Sequence, residues 1–202
     1  MLRTMRVDVT TWSLEMTDPS QLIASAAPDG AVELRRAMQP TPEFGRYLYT
    51  AAGGNWFWCD RLLWTYEQWQ GRLSHARVET HVAYVHGTPA GYFELDGSVG
   101  EDVEIAYFGL LPSFIGRRLG GWMLTAAIRR AWAMGARRVW VHTCSLDAQP
   151  QALKNYQARG MRIFKEITGP VELPDVTPGP WPGAGVHGPH AVIEEGKAGV
   201  RS

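Results

Sequence analysis

The stretch from Val103 to Thr143 constrains this chain more than any other. Val103 to Leu111 reads as a strand that stops at Pro112, and Gly116-Arg117-Arg118-Leu119-Gly120-Gly121 is a glycine-bearing turn with two arginines. Trp122, Ala126, Ile128, Ala131 and Trp132 then recur at helical spacing up to Gly135, after which Arg138 to Thr143 turns Val139, Val141 and Thr143 to one side. Strand, turn, helix and strand in this order make a right-handed crossover that leaves the two strands parallel. Glycines let backbone approach a ligand, and the unpaired amides at a helix start attract anions, so the turn can cradle phosphate. An ordinary strand-to-helix connection has the same local pattern.

The residues upstream make the sheet mixed. Arg77 to His86 alternates Val78, Thr80, Val82 and Tyr84 against Glu79, His81, Ala83 and Val85. Gly87-Thr88-Pro89 should turn it back through Ala90 to Leu95, and Asp96-Gly97-Ser98 should turn it again into the Val103 strand. Arg6 to Met16 is a β-branched first strand broken by Asp18-Pro19-Ser20, while Ala31 to Met38 fits a strand or a short helix. Thr41-Pro42-Glu43 opens a helix that Gly53-Gly54 closes, and Asp60 is expected to cap a second helix ending at Gly71. Between them, Asn55-Trp56-Phe57-Trp58-Cys59 is an aromatic cluster, either a loop packed on the core or a wall of a substrate pocket. Downstream, Gln151 to Arg159 reads as a short helix stopped by Gly160, and Met161 to Ile167 as a last antiparallel strand returning as in a hairpin.

Composition sets outer bounds. A length of 202 residues suits one domain, expected over 1–170, with a Pro/Gly-rich extended tail over 171–202 in which Ala191-Val192-Ile193 could form a short edge strand. Formal net charge is zero, so nothing global argues for nucleic acid or an anionic membrane as partner. Cys59 and Cys144 lack metal-like spacing, which argues against a disulfide framework and for a reducing compartment, and no metal site is expected. With no hydrophobic leader and no apolar run of the roughly 20 residues a span needs, the expected location is the cytoplasm.

The element order and two motifs carry a resemblance to a known family. Glu104-Ile105-Ala106-Tyr107-Phe108, Leu110-Leu111-Pro112, the turn Ile115 to Gly120, and the later Ala152-Leu153-Lys154-Asn155-Tyr156-Gln157-Ala158-Arg159-Gly160-Met161 together resemble the GNAT superfamily, the Gcn5-related N-acetyltransferases. The resemblance implies an α/β fold of α+β type: a mixed, mostly antiparallel central sheet with one splayed parallel pair, and helices on both faces. It implies acetyl transfer from acetyl-CoA to an amine by direct attack, with Leu110, Leu111, Gly116, Arg117, Arg118, Leu119, Gly120, Gly121 and Asn155 as cofactor-binding positions. The chain departs from the family's phosphate loop at Ile115, where glutamine or arginine is usual, and at Arg118, where glycine is usual.

The same resemblance gives roles. Glu104 matches the general base of the histone acetyltransferase branch, with His142 on the neighbouring strand as a rival base. Tyr156 matches the tyrosine that protonates the CoA thiolate, and a free amide near Leu110 would polarise the thioester carbonyl. Cys144 could serve a covalent scheme, though only His142 lies near enough in sequence to activate it; Asp147 could cap, turn or touch substrate. A non-catalytic acyl-CoA-binding module is the alternative. A nucleotide-binding enzyme fits less well, because the glycine turn follows antiparallel strands and no acidic residue closes the next one. The acceptor, a small-molecule or protein amine, is unspecified; the aromatic loop, the residues around Trp64 and Trp69, and the hairpin near His86 should shape its site. A homodimer stays open.

Overall fold

The computed structural model describes residues 4–147 and 151–181. Seven strands are ordered β2-β3-β4-β5-β6-β1-β7 in one sheet. They are β1 (Thr4–Met16), β2 (Val32–Arg36), β3 (Val78–Val85), β4 (Thr88–Asp96), β5 (Asp102–Leu110), β6 (Arg138–Cys144) and β7 (Arg162–Pro174). Among the described residues only β5 and β6 pair in parallel. The helices α1 (Pro42–Gly53) and α2 (Tyr66–Leu73) cover one face, here the front; α3 (Leu119–Ala133) and α4 (Gln151–Ala158) cover the back.

Local chemistry accounts for most of these bounds. The Thr41 hydroxyl accepts the Phe44 N–H and Pro42 occupies the first turn, so α1 starts there. The β3–β4 hairpin turns on His86 and Gly87 alone, with φ of 48° and 80°, and β4 already begins at Thr88. Two successive left-handed residues match the twist of the strands they join. Ala31 to Met38 resolves as strand β2, which pairs with β3 through Val32–Arg36.

Three expectations need correcting. Asp60 caps no helix: α2 starts later, where Thr65 and Gln68 form a reciprocal capping box, and Gly71 lies inside it. The last strand does not return onto β6, because β1 is inserted between β6 and β7. Finally, β7 runs to Pro174, so the first residues of the expected tail are sheet. The strand considered at Ala191-Val192-Ile193 lies outside the described residues.

The back core is continuous. Leu14 and Met16 of β1, Phe93 of β4, Ile105 of β5, Leu124 and Ile128 of α3 and Val139 of β6 are all fully buried and pack together. Each such side chain contributes about 1.5–3 kcal/mol by leaving water. Residues Thr4 to Val9 continue past the end of β6 and pair with β7, as a two-stranded ribbon. From it the chain folds back to α1, where the Gly179 N–H donates to the Gly54 carbonyl at 2.9 Å. A Cβ on Gly54 would lie 2.6 Å from the Gly179 carbonyl carbon, so only glycine permits that contact.

Candidate active site

The parallel pair parts almost as soon as it forms. β5 and β6 are in register at Asp102↔Arg138, Val103↔Val139 and Glu104↔Trp140, and no further. Beyond that rung the inner edge of β5 has no strand partner among the described residues. The Leu111 N–H donates to the Ala90 carbonyl of β4 at 2.9 Å. Because amides alternate sides along a strand, the Leu110 N–H points the other way, into the gap. Of the two leucines expected to meet the cofactor, Leu110 therefore offers its amide and Leu111 has spent its own on the sheet.

The glycine turn follows directly. Gly116 has φ 83° and opens on space free of other atoms within 4 Å, and Arg118, the residue before α3, has φ 60°. Arg118 thus holds the left-handed conformation that glycine gives most cheaply. No side chain caps the start of α3 and no acidic residue sits in its first turn, so its first amides are left for an anion. The Arg117 guanidinium lies 5.1 Å from the centre of the Phe114 ring, and both arginines are exposed. Leu119 is buried in the core, a Cβ on Gly120 would meet the Asn155 amide nitrogen at 3.5 Å, and Gly121 faces Arg159 and Ser25. The turn, α3 and α4 therefore meet beside the gap, and their residues fit a bound acyl-CoA.

Two titratable groups stand at the parting. The Glu104 Oε1 and His142 Nδ1 are 3.1 Å apart, with His142 the more exposed of the two. The bond to Glu104 raises the His142 pKa against the opposing effect of burial, and Asp147 and Asp60 add to the rise. With Nδ1 turned to a carboxylate, the imidazole keeps Nε2 for another partner. On the back, Tyr156 is buried and its ring lies 6.0 Å from that of Phe108, on β5 beyond its last rung with β6. Burial, then Asp147, raises its pKa, so the hydroxyl stays protonated through the neutral range. Burial likewise pushes the Cys144 thiol up to about 11, which makes it a poor nucleophile at neutral pH. Asp147 is a turn former, accepting from the Thr143 hydroxyl at 2.6 Å and the Cys144 N–H at 2.8 Å.

The front wall is aromatic and held from within. Glu94 pairs with Tyr107 and Leu95 with Ile105, so Ala106 is an extra residue on β5. This bulge puts Tyr107 on the same face as Glu104 despite their odd separation. Trp58 packs 5.0 Å from Tyr107 and 5.6 Å from Tyr49 between ring centres, and it fills the space that a side chain on Gly53 would need. Behind them, the buried Arg61 makes a two-pronged ion pair with Glu94 at 2.9 and 3.0 Å and lies against the Trp64 and Tyr107 rings. Arg72 bonds Glu94 and Asp96. Of the two readings of the aromatic loop, the packing of Trp58 shows the first, a loop packed on the core. His86 is not brought here; it sits at the β3–β4 turn beside β2, its N–H bonded to Ala31.

Sequence reasoning missed Tyr49, Tyr107 and Asp60. The Tyr49 hydroxyl donates to Asp60 Oδ1 at 2.5 Å, and the Tyr107 hydroxyl donates to Oδ2. The capping box Thr65-x-x-Gln68, visible in the sequence, was the signal that Asp60 had other work. A hollow of about 240 Å³ adjoins Glu104, lined by Asp96, Asp102, Arg138 and Trp140 among others. Among the described residues no cluster of three or more His, Cys, Asp or Glu could hold a metal, and no helix is long and apolar enough to cross a membrane.

A family model described as the acetyltransferase (GNAT) family matches residues 36–161, a span that leaves out β1 and β7. Among solved structures, a GCN5-related N-acetyltransferase from Sphaerobacter thermophilus is similar at 18% identity with a TM-score of 0.60, over 88% of this chain and 54% of that one. Another from Kribbella flavida shares 18% identity with a TM-score of 0.58, over 85% and 60%. An aminoglycoside acetyltransferase from an uncultured soil metagenomic sample, in complex with sisomicin, shares 14% identity with a TM-score of 0.52, over 63% and 86%. At these identities the likeness is one of fold, and the chain spans little more than half the length of the first two. No curated protein matches the chain.

Proposed function

The chain belongs to the acetyltransferase (GNAT) family, and from that premise we propose that it moves an acetyl group from acetyl-CoA to an amine nitrogen by direct attack. The observation that carries the reading is the parting of β5 and β6 just past Glu104↔Trp140, with an unpaired amide, a proton acceptor and a buried phenol around one gap.

Bound acetyl-CoA would supply the activated thioester; the remaining work falls to side chains and backbone of this protein. The uncapped start of α3, with Gly116, Arg117, Arg118, Gly120 and Gly121, holds the pyrophosphate, and Asn155 stands beside it. The Leu110 N–H donates to the carbonyl oxygen, favouring charge as it develops there. Glu104 and His142 act as one unit: the carboxylate fixes the imidazole, and Nε2 takes the proton from the acceptor ammonium. The Tyr156 hydroxyl would hydrogen-bond the sulfur as the carbon–sulfur bond breaks and give it a proton, and the second proton lost by the attacking nitrogen as the amide forms would replace the one the phenol gives. The reaction is expected in the cytoplasm, with a small-molecule or protein amine as acceptor.

Calorimetry with acetyl-CoA, followed by thiol release across a panel of amines, tests this. Binding and amine-dependent release are expected. No binding at millimolar ligand would sink the reading, and binding without release from any amine would leave a non-catalytic acyl-CoA module in its place.

A further inference from the structure

Most front-face carboxylates near the gap already have a cation. Glu94 is taken by Arg61 and Arg72, Asp96 by Arg72, and Asp102 by Arg138. Asp60 differs. Its carboxylate is exposed, and its hydrogen-bond partners are two phenols, Tyr49 and Tyr107, neither of which brings charge. Among the described residues no arginine, lysine or histidine lies within ion-pair distance of it, although Arg61 is its neighbour in sequence. Arg61 is instead turned inward onto Glu94.

The carboxylate is also fixed. Tyr107 is set by the β5 bulge and by the Trp58 and Arg61 contacts; Tyr49 is fully buried on α1. Burial first of all raises the pKa of both phenols, so both remain donors toward Asp60. Tyr107, which binds Asp60, shares a sheet face with Glu104, and Asp60 acts electrostatically on the imidazole that Glu104 holds. A rigid, exposed carboxylate with no cation beside it suits an ammonium ion, through charge-assisted hydrogen bonds.

We propose that Asp60 is the acceptor-specificity residue of this site, and that the acceptor carries two cationic nitrogens: one presented to Glu104 and His142 for acetylation, the second held by Asp60. This rests on the acetyl-transfer reading for the role of the first nitrogen, but the binding of the second does not need turnover.

The test uses the whole chain with CoA present, and compares putrescine and cadaverine with butylamine, by calorimetry and by thiol release. The diamines are expected to bind about tenfold or more tightly than butylamine. Asp60→Asn should erase that difference by raising diamine KM, with CoA affinity little changed, while Asp60→Glu should restore part of it. Tyr107→Phe, which loosens the carboxylate but keeps the ring, should give an intermediate loss. If acetyl transfer proceeds with butylamine as well as with diamines, or if Asp60→Asn spares the preference, Asp60 has no such role and the acetyl-transfer reading stands. If diamines bind through Asp60 but no amine releases thiol, the transfer reading fails and the dication site survives. Should Asp60→Asn not fold, equal affinity of the unmodified protein for diamines and butylamine overturns the proposal without any variant.

Discussion

His142 Nδ1 and Glu104 Oε1 lie 3.1 Å apart at the point where β5 and β6 begin to diverge, joining the two strands by side chains where the backbone no longer does. The bond holds the His142 pKa above its ordinary 6.5. Since only neutral imidazole can take a proton, kcat/KM should rise with pH through that raised value and level off above it. Glu104→Gln removes the largest cause, so the rising limb should move to lower pH while the plateau falls. The pH–rate profile, together with an NMR titration of the imidazole, checks both shifts.

Tyr156→Phe keeps the buried ring against Phe108 and deletes the hydroxyl. Stability and acetyl-CoA affinity should change little, while kcat falls by about 100-fold, the low end of what a positioned acid contributes. Single-turnover measurement separates this loss from slow product release. An unchanged kcat would remove Tyr156 from the chemistry.

Arg118 at φ 60° carries a left-handed strain that glycine lacks. Arg118→Gly should raise the melting temperature, the strain relief of ~1–2 kcal/mol outweighing the added chain entropy of roughly 0.5–1 kcal/mol. The same change should weaken acetyl-CoA binding in a salt-dependent way if the guanidinium meets phosphate. Gly116→Ala, at φ 83°, should destabilise by about 1–2 kcal/mol.

Glu94 compensates two arginines from within the front wall. Glu94→Gln leaves Arg61 buried without a counter-charge and should cost ~3–5 kcal/mol in a denaturant titration. A loss under 1 kcal/mol, on the order of an exposed pair, would mean that water reaches the cluster.

Glu79 on β3 gathers Arg130 of α3, His81 and Arg36 of β2. Hydrogen bonds from Arg130 lead in lowering its pKa from 4.5 to about 2, against burial. A depressed carboxylate stabilises the fold above its unfolded value, and that stability drains away as the pH falls through the interval down to about 2. Melting temperature should decline over this interval, and less steeply in Glu79→Gln.

What could be read in the sequence was what is local. Thr41-Pro42, the alternation of Val78 to Tyr84, and Gly135 after Trp132 each act within a few residues, so α1, β3 and the end of α3 were legible. The neighbour of a strand is not a local property: Arg6 to Met16 announced a strand but nothing in it named β6 and β7. Simple alternation sets Tyr107 opposite Glu104, and only the extra residue Ala106, which no local signal marks, brings both to one face. Asp60 was misread because aspartate before a helical pattern usually caps, whereas here two tyrosines distant in sequence hold it. Motif singled out Glu104 and Tyr156 as candidates, but the bond between Glu104 and His142 depends on where a parallel register ends.

The insertion of β1 between β6 and β7 also governs the timing of folding. The Thr10 N–H reaches Ser145 Oγ across 135 residues, and its hydroxyl meets that of Thr168 across 158. A strand made early on the ribosome must therefore wait, its backbone unpaired and Leu14 and Met16 in water, until the far side of the sheet has been synthesised. Such long-range closure slows folding and lengthens exposure to aggregation, so this strand is the segment a chaperone would have to shield.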